Sequence, residues 1–335
     1  GWYALFVSFF PQLVAGPIER PENLMPQLKE EHKLEASNAF AGLQKMAVGF
    51  FKKIVVADII AEFVNAVFND AANATGFGVL LGAVLFAVQI YCDFSGYTDI
   101  AIGCARIMGI RLMQNFDRPY RARSIKEFWA RWHISLSSWF KDYLYIPLGG
   151  NRCSRARNYF NIFVVFLVSG LWHGASWTFV LWGVLHGLYQ ILGAVTKRPR
   201  QRLYEKLKIK TDSKVFMLGQ RIVTFLLVCF AWIFFRANST ADLWVLLGKL
   251  FTSWEAGSVT ATLSSMGMTV TAALVTVLSI LVMSMLDTMC DEPRLTENGT
   301  VSRQYTLAVV TLAVTAAWSL LLSVGGASAF IYFQF

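Results

Sequence analysis

Apolar residues form long runs along the chain, separated by short polar segments. A helix needs about 20 consecutive apolar residues to cross a bilayer. Residues 39–68 mix apolar stripes with charges, which favours an amphipathic or interfacial helix, and residues 241–251 are too few to cross. The pattern predicts spans, or ends of spans, over residues 2–16, 77–110, 159–195, 215–235, 268–289 and 305–324. We therefore expect an all-α polytopic membrane protein.

Composition supports a membrane protein and excludes an ordinary soluble one. Hydrophobic residues make up 56% of the chain and charged residues only 15%, against roughly 25% charged in a typical soluble domain. The net charge of +9 comes mainly from two basic blocks, residues 106–157 and 197–214. Such blocks mark cytoplasmic loops before they indicate nucleic acid. No internal repeat supports an inverted-repeat transporter.

The N-terminus and the cysteines add two expectations. Gly1 opens directly into an apolar run with no basic leader, so we expect a fragment whose upstream helices are missing. The 5 cysteines show no C-x-x-C spacing, which indicates neither a disulfide framework nor a zinc site.

The topology of residues 159–195 follows from the charges on either side. If both basic blocks are cytoplasmic, this run must enter the membrane and return to the same side. It is long enough for two helices. We expect a hairpin whose helices meet near Gly170 to Ser176, with His173 deep in the membrane.

His173 is the strongest candidate for chemistry. An ionisable side chain at such depth costs about 3 kcal/mol or more, and chains keep such residues to pair, carry protons or catalyse. Trp172, Trp177 and nearby glycines suggest a tight, dry pocket. His186 follows 13 residues later, which corresponds to about 220° and about 20 Å on one helix. The two imidazoles should not share a metal ion, and His186 is better explained as a packing residue bonded to a neighbour.

Residues 123–142 form a second group. Ser124 and Glu127 fit a capping box, which predicts a helix that carries Trp129, His133 and two apolar residues on one face. That face could be an aromatic core with a satisfied histidine, or His133 could point into a substrate tunnel. The surrounding cations would suit a polyanionic donor such as coenzyme A, although ordinary positive-inside bias is the simpler explanation. Those cations are Arg118, Arg121, Arg123, Lys126, Arg131 and Lys141.

Asp93 and Asp99 are two carboxylates inside a predicted span. Six residues apart on a helix, they point about 120° from each other, so they do not form an acid/base dyad. Because an unpaired buried charge is costly, we expect arginine or hydroxyl partners. The serines near the histidines show no nucleophile-elbow context.

The same motifs resemble the membrane-bound O-acyltransferase superfamily, most closely its bacterial alginate O-acetylation branch. The matching segments are residues 10–20, 91–103, 115–120, 128–150, 170–187 and 330–335. The resemblance covers the whole chain, although family members have several more N-terminal helices. It implies one transmembrane domain over residues 1–335. A ring of helices would surround a thin, re-entrant centre crossed by a tunnel, with residues 106–157 as the cytoplasmic or re-entrant catalytic segment.

The resemblance also implies an activity. The protein would move acetyl from cytoplasmic acetyl-CoA toward an exopolysaccharide such as alginate, through a periplasmic acetyltransferase partner, in the lipid of the bacterial inner membrane. The family's near-invariant histidine matches His173 and its second motif histidine matches His133. No bound cofactor, metal or nucleic acid is expected. Side chains expected to line the tunnel or contact the donor are Trp129, Arg131, Trp132, Ser137, Lys141, Asp142, Trp172, Trp177 and Asp93.

Three alternatives remain open. A rival in the same superfamily transfers D-alanine from a carrier protein to teichoic acid. A transporter or flippase could use His173, Asp93 and Asp99 as a proton relay. A membrane scaffold without chemistry is the third alternative, and the buried ionisable residues speak against it.

Overall fold

A computed structural model describes residues 1–254, 257–289 and five further positions, 310, 313, 314, 316 and 317. The regular elements in this described part are all helical. The predicted span at 305–324, Cys290 and the terminal motif at 330–335 lie outside or largely outside the described residues. The α-helices are α1 Trp2–Ser8, α2 Pro21–Lys29, α3 Ala36–Phe50, α4 Asp58–Phe68, α5 Gly76–Ile107, α6 Ile125–Arg131, α7 Ile134–Phe140, α8 Arg155–His173, α9 Trp177–Val195, α10 Lys197–Lys206, α11 Lys214–Arg236, α12 Thr240–Thr252, α13 Ser258–Ser265 and α14 Val270–Met289.

Four of the described helices are long and apolar enough to cross a membrane: α5, α9, α11 and α14. They coincide with predicted spans, and α12 is short, as expected. The run from residue 2 is helical only over α1 and a 3-10 turn, Phe10–Gln12. α1 ends at Ser8 because Phe9 has extended backbone, with φ −63° and ψ 101°, and Pro11 lacks the N–H that would continue the α-helical bonding.

The contacts divide the chain into two compact units. The first comprises residues 1–63 and 88–115 with the described part of 263–334. In it α3 and α5 pack through glycines. A Cβ at Gly49 would come 2.5 Å from the carbonyl oxygen of Gly96, and one at Gly42 would come 2.5 Å from that of Gly103. Both pairs are spaced seven residues apart, about two turns, so the backbones are close along the contact.

Buried ion pairs hold this first unit together. A π-helical segment, Phe51–Ala57, joins α3 to α4. Its Lys52 side chain is 3% exposed and lies 2.7 Å from Asp99 and 2.5 Å from Asp287 of α14. Lys53 lies 2.8 Å from Asp93. The expectation that the charges of residues 39–68 face an interface is therefore wrong for these lysines, and the carboxylates of α5 pair with lysines rather than with arginines.

The second unit comprises residues 64–87 and 116–262. Its centre is the hairpin of α8 and α9, which turns at residues 174–176, within the run of residues 159–195. Gly170 and Gly183 face each other across it, with Cα of Gly183 3.3 Å from where a Cβ at Gly170 would lie. The hairpin fixes His173 at the end of α8.

Candidate active site

The segment that carries His133 begins as predicted. The hydroxyl of Ser124 caps α6 by accepting the N–H of Glu127 at 3.2 Å. The carboxylate of Glu127 accepts the N–H of Arg123 at 2.8 Å and pairs with Arg131 at 3.0 Å. These contacts make the first turn of α6 a rigid start for the segment.

The helix does not continue through His133, so the prediction of one helix is wrong. His133 has φ 44° and ψ 53°, in the left-handed region, and α7 starts after it. Two bonds satisfy the carbonyls freed at the break: Asp117 N–H donates to Arg131 at 2.9 Å, and the Ser137 hydroxyl donates to Trp132 at 3.3 Å. Buried non-glycine residues adopt this backbone only where the surroundings enforce it.

The break directs His133 away from its predicted helical face. Its side chain is buried, stacks with Phe116 at 6.5 Å and meets the edge of Trp172 at 6.2 Å between ring centroids. Burial, and then the charge of nearby His173, hold the pKa of His133 well below its usual value. The ring is therefore neutral near pH 7.

His173 ends α8 within a group of aromatic rings. Ring centroids lie 5.0 Å from Trp172, 5.1 Å from Trp182 and 5.1 Å from Phe235. The next residue, Gly174, has φ 157°, and a Cβ there would come 2.9 Å from the ring of Phe179. A side chain at position 174 would therefore disturb the turn that places the imidazole.

Two of these rings were missed by sequence reasoning. Trp177, expected beside His173, is 70% exposed, and Trp182 and Phe235 contact the imidazole instead. Trp182 was available from the sequence, since it lies about one and a half turns after the start of α9 and could face back toward His173. Phe235 lies on α11, and no local pattern pointed to it.

A cavity of about 310 Å³ lies beside α8. Its wall is mostly apolar but includes two lysines, Lys126 and Lys141. No carboxylate among the described residues forms an ion pair with either lysine. Ile162, Phe166 and Ser169 of the wall share one stripe of α8 with His173, because they precede it by eleven, seven and four residues. The lining residues are Lys126, Trp129, Ala130, Leu136, Ser137, Phe140, Lys141, Tyr145, Ile162, Val165, Phe166, Ser169 and Gln190.

The remaining side chains that were predicted to line the tunnel or contact the donor lie in different environments. Trp129, Ser137 and Lys141 line the cavity, and Trp172 contacts both histidines. Arg131 is paired with Asp117 and Glu127, Trp132 is buried among aromatic rings, and Asp142 is exposed. Asp93 belongs to the first unit, where it pairs with Lys53.

His186 is fully buried and accepts a hydrogen bond at Nδ1 from the indole N–H of Trp129, 3.1 Å away. The contact supplies the bonded neighbour that the sequence interpretation expected for His186. Among the described residues, no group of three or more histidine, cysteine or acidic side chains is placed to hold a metal ion.

Comparison with known proteins adds a family match. A model of the "MBOAT, membrane-bound O-acyltransferase family" matches residues 2–239. A peptidoglycan O-acetyltransferase of Helicobacter pylori is 43% identical over 251 residues, which cover 74% of this chain and 46% of that protein.

Two further relatives are named for the transfer of different groups, acetyl in one and D-alanyl in the other. A probable alginate O-acetylase of Pseudomonas aeruginosa is 40% identical over 76% of this chain and 46% of its own length. A teichoic acid D-alanyltransferase of Bacillus subtilis is 29% identical over 70% of this chain and 60% of its own length. The chain spans about half the length of the curated O-acetylation relatives it matches.

Proposed function

The chain belongs to the membrane-bound O-acyltransferase family, and on that premise we propose that the protein transfers acetyl groups from acetyl-CoA toward O-acetylation of an exopolysaccharide. Alginate-like polymers are the acceptors that we favour, reached through a periplasmic acetyltransferase partner. The bacterial inner membrane is the proposed location, because the donor is cytoplasmic and the polymer is not.

The observation that carries the proposal is the alignment of the cavity with His173. The cavity follows one stripe of α8 as far as Ser169, one turn before the imidazole. Lys126 and Lys141 supply positive charge for the phosphates of the donor. The apolar wall suits the pantetheine arm, so the thioester would lie toward His173.

The acyl transfer needs one side chain that accepts a proton and then releases it. His173 takes the proton from the acceptor hydroxyl while the oxygen forms a bond with the thioester carbon. When the carbon–sulfur bond breaks, the thiolate receives that proton and leaves as coenzyme A. Neutral His133 orients the acceptor or donor from the far side of Trp172, and the surrounding aromatic rings exclude water that would hydrolyse the thioester.

The names of the relatives support O-acetylation. Relatives at 40% identity or more are named for acetyl transfer to peptidoglycan and alginate. D-alanyl transfer is the second candidate, because a teichoic acid D-alanyltransferase matches at 29% identity. A carrier protein that binds the membrane-embedded enzyme would favour D-alanyl transfer over acetyl transfer.

The test is His173→Ala in membranes that carry the complete protein. We expect loss of acetyl-CoA turnover and of polymer acetyl groups by at least about 100-fold, the typical contribution of a general base. His32→Ala is the matched control, because His32 is an exposed histidine that bonds to the carbonyl of Gln27. Near wild-type turnover in His173→Ala would remove His173 from the mechanism, and turnover of a D-alanyl carrier instead of acetyl-CoA would replace the proposed donor.

A further inference from the structure

Trp182 and His186 place two buried N–H groups on one face of α9. They are four residues apart, the spacing that stacks side chains on a helix face, and their ring centroids are 5.0 Å apart. Trp182 is 1% exposed and His186 is 0% exposed. Both rings are thus withdrawn from solvent.

The hydrogen bond from Trp129 decides which nitrogen of His186 carries the proton. An indole N–H can only donate, so Nδ1 of His186, 3.1 Å from it, must hold a lone pair. The neutral imidazole therefore has its proton on Nε2. His186 is a fixed donor at Nε2.

Neither donor has an acceptor in the part of the chain that the structure describes. This holds for Nε2 of His186 and for Nε1 of Trp182. A buried donor without an acceptor costs about 1–3 kcal/mol, and two on one helix face demand an explanation.

Packing keeps both rings in these orientations. Phe128 and Phe166 stack with His186 at 6.5 and 6.2 Å, and Trp232 stacks with Trp182 at 6.0 Å between centroids. A ring held by stacked neighbours cannot rotate toward another acceptor without repacking the core.

Both donors adjoin the proposed reaction centre. The ring of Trp182 meets that of His173 edge-on at 5.1 Å. His186 is bonded to Trp129, which is part of the cavity wall. An oxygen of a donor bound in this region would supply the acceptor that the described residues do not provide.

We propose that Nε1–H of Trp182 and Nε2–H of His186 bind the carbonyl oxygen of the acyl donor. This inference rests on the proposed acyl transfer. As the hydroxyl oxygen bonds to the carbonyl carbon, an electron pair moves onto that oxygen, and the two N–H groups stabilise the charge. The pair returns when the carbon–sulfur bond breaks, and His173 gives its proton to the departing thiolate.

Variants that keep an aromatic ring and remove the N–H test the assignment. Trp182→Phe and His186→Phe should each lower kcat about 100- to 1,000-fold, the usual effect of removing one oxyanion donor, with a smaller rise in KM of at most about 10-fold. Trp244→Phe, at a site 61% exposed on α12, is the control and should retain wild-type kinetics.

A pair of donor analogues separates this role from a packing role. S-acetonyl-CoA carries a ketone near the sulfur, and S-propyl-CoA has the same carbon chain without the oxygen. The complete wild-type protein should bind the ketone about 5- to 10-fold more tightly, the value of roughly one hydrogen bond. Each variant keeps one of the two N–H groups, so it should show a weaker preference than the wild type and bind S-propyl-CoA as the wild type does.

The outcomes discriminate between the two proposals. Equal weakening of both analogues in the variants, or unchanged kcat with the preference intact, overturns the carbonyl assignment and leaves acyl transfer standing. If the wild type neither consumes acetyl-CoA nor distinguishes the analogues, both proposals fail.

Discussion

At the scale of single residues, His133 combines a left-handed backbone with a buried, neutral ring. Its proximity to His173 disfavours charge on both imidazoles at once. This suits a division of labour in which one histidine moves the proton and the other remains a neutral hydrogen-bonding group. Burial, which is the main cause of the lowered pKa of His133, makes this residue a source of pH-dependent stability.

The pH dependence has a definite sign. The folded pKa of His133 lies well below its usual value, through burial and the charge of His173, so the unfolded chain takes up the proton first as pH falls. Its contribution is constant above about pH 6.5 and decreases below that value. Between pH 7 and 5.5 the wild type should lose about 1 kcal/mol more free energy of unfolding than His133→Asn.

Asparagine is the suitable replacement because it does not titrate and tolerates left-handed backbone. Unfolding in detergent at the two pH values measures the difference. An identical pH dependence in wild type and His133→Asn would show that His133 is solvated in the folded protein.

At the scale of helices, periodicity and charge predicted the hairpin of α8 and α9 but not the break between α6 and α7. The hairpin depends on run length and flanking charge, which are visible in the sequence. The break depends on bonds from Asp117 and Ser137 to carbonyls of the segment. These form only once the chain has folded, and the helical spacing of Trp129 and His133 conceals the break.

The prediction of the ion-pair partners of Asp93 and Asp99 was wrong for the same physical reason. Burial of Asp93 and Asp99 required partners, and this much could be predicted. Their identity depended on how the π-helical segment turns Lys52 and Lys53 toward α5. Within the candidate site, sequence context singled out His173 but gave no sign of Phe235, which contacts it from a distant helix.

The close contact between α3 and α5 predicts intolerance of even a methyl group. Gly49→Ala would place a Cβ 2.5 Å from the Gly96 carbonyl, and such overpacking costs about 1–3 kcal/mol. Gly248→Ala on α12 is the control, because no atom lies within 4 Å of its added Cβ. Alanine there should be neutral or stabilising by up to about 1 kcal/mol.

Thermal unfolding of both variants in detergent measures these effects. A Gly49→Ala protein as stable as Gly248→Ala would show that the two helices can separate at no cost.

At the scale of the whole molecule, the distribution of charge determines how the chain crosses the membrane. The basic segments before α8 and after α9 should lie on the same cytoplasmic side, because the hairpin returns the chain. α11 then crosses, so the start of α12 should face the other side. This topology supports the proposed transfer between compartments.

Cysteine labelling tests the topology. Glu205→Cys on α10 should react with a membrane-impermeant maleimide only from the cytoplasmic face, in inverted vesicles. Ala241→Cys on α12 should react only in spheroplasts. Both positions are exposed, and the parent protein with its native cysteines gives the background. Labelling of both variants from one face would contradict the crossing by α11.

The ion pair between Lys52 and Asp287 has a consequence for biosynthesis. Lys52 and Asp287 are separated by most of the described chain, and Asp287 lies on α14, the last complete helix described. Until the ribosome has translated α14, the ammonium lacks one of its carboxylates, and Tyr91 lacks its hydrogen bond to Asp287. Folding of the first unit therefore cannot finish before α14 is made, and a nascent chain released earlier should retain an under-compensated charge that membrane quality-control proteases detect.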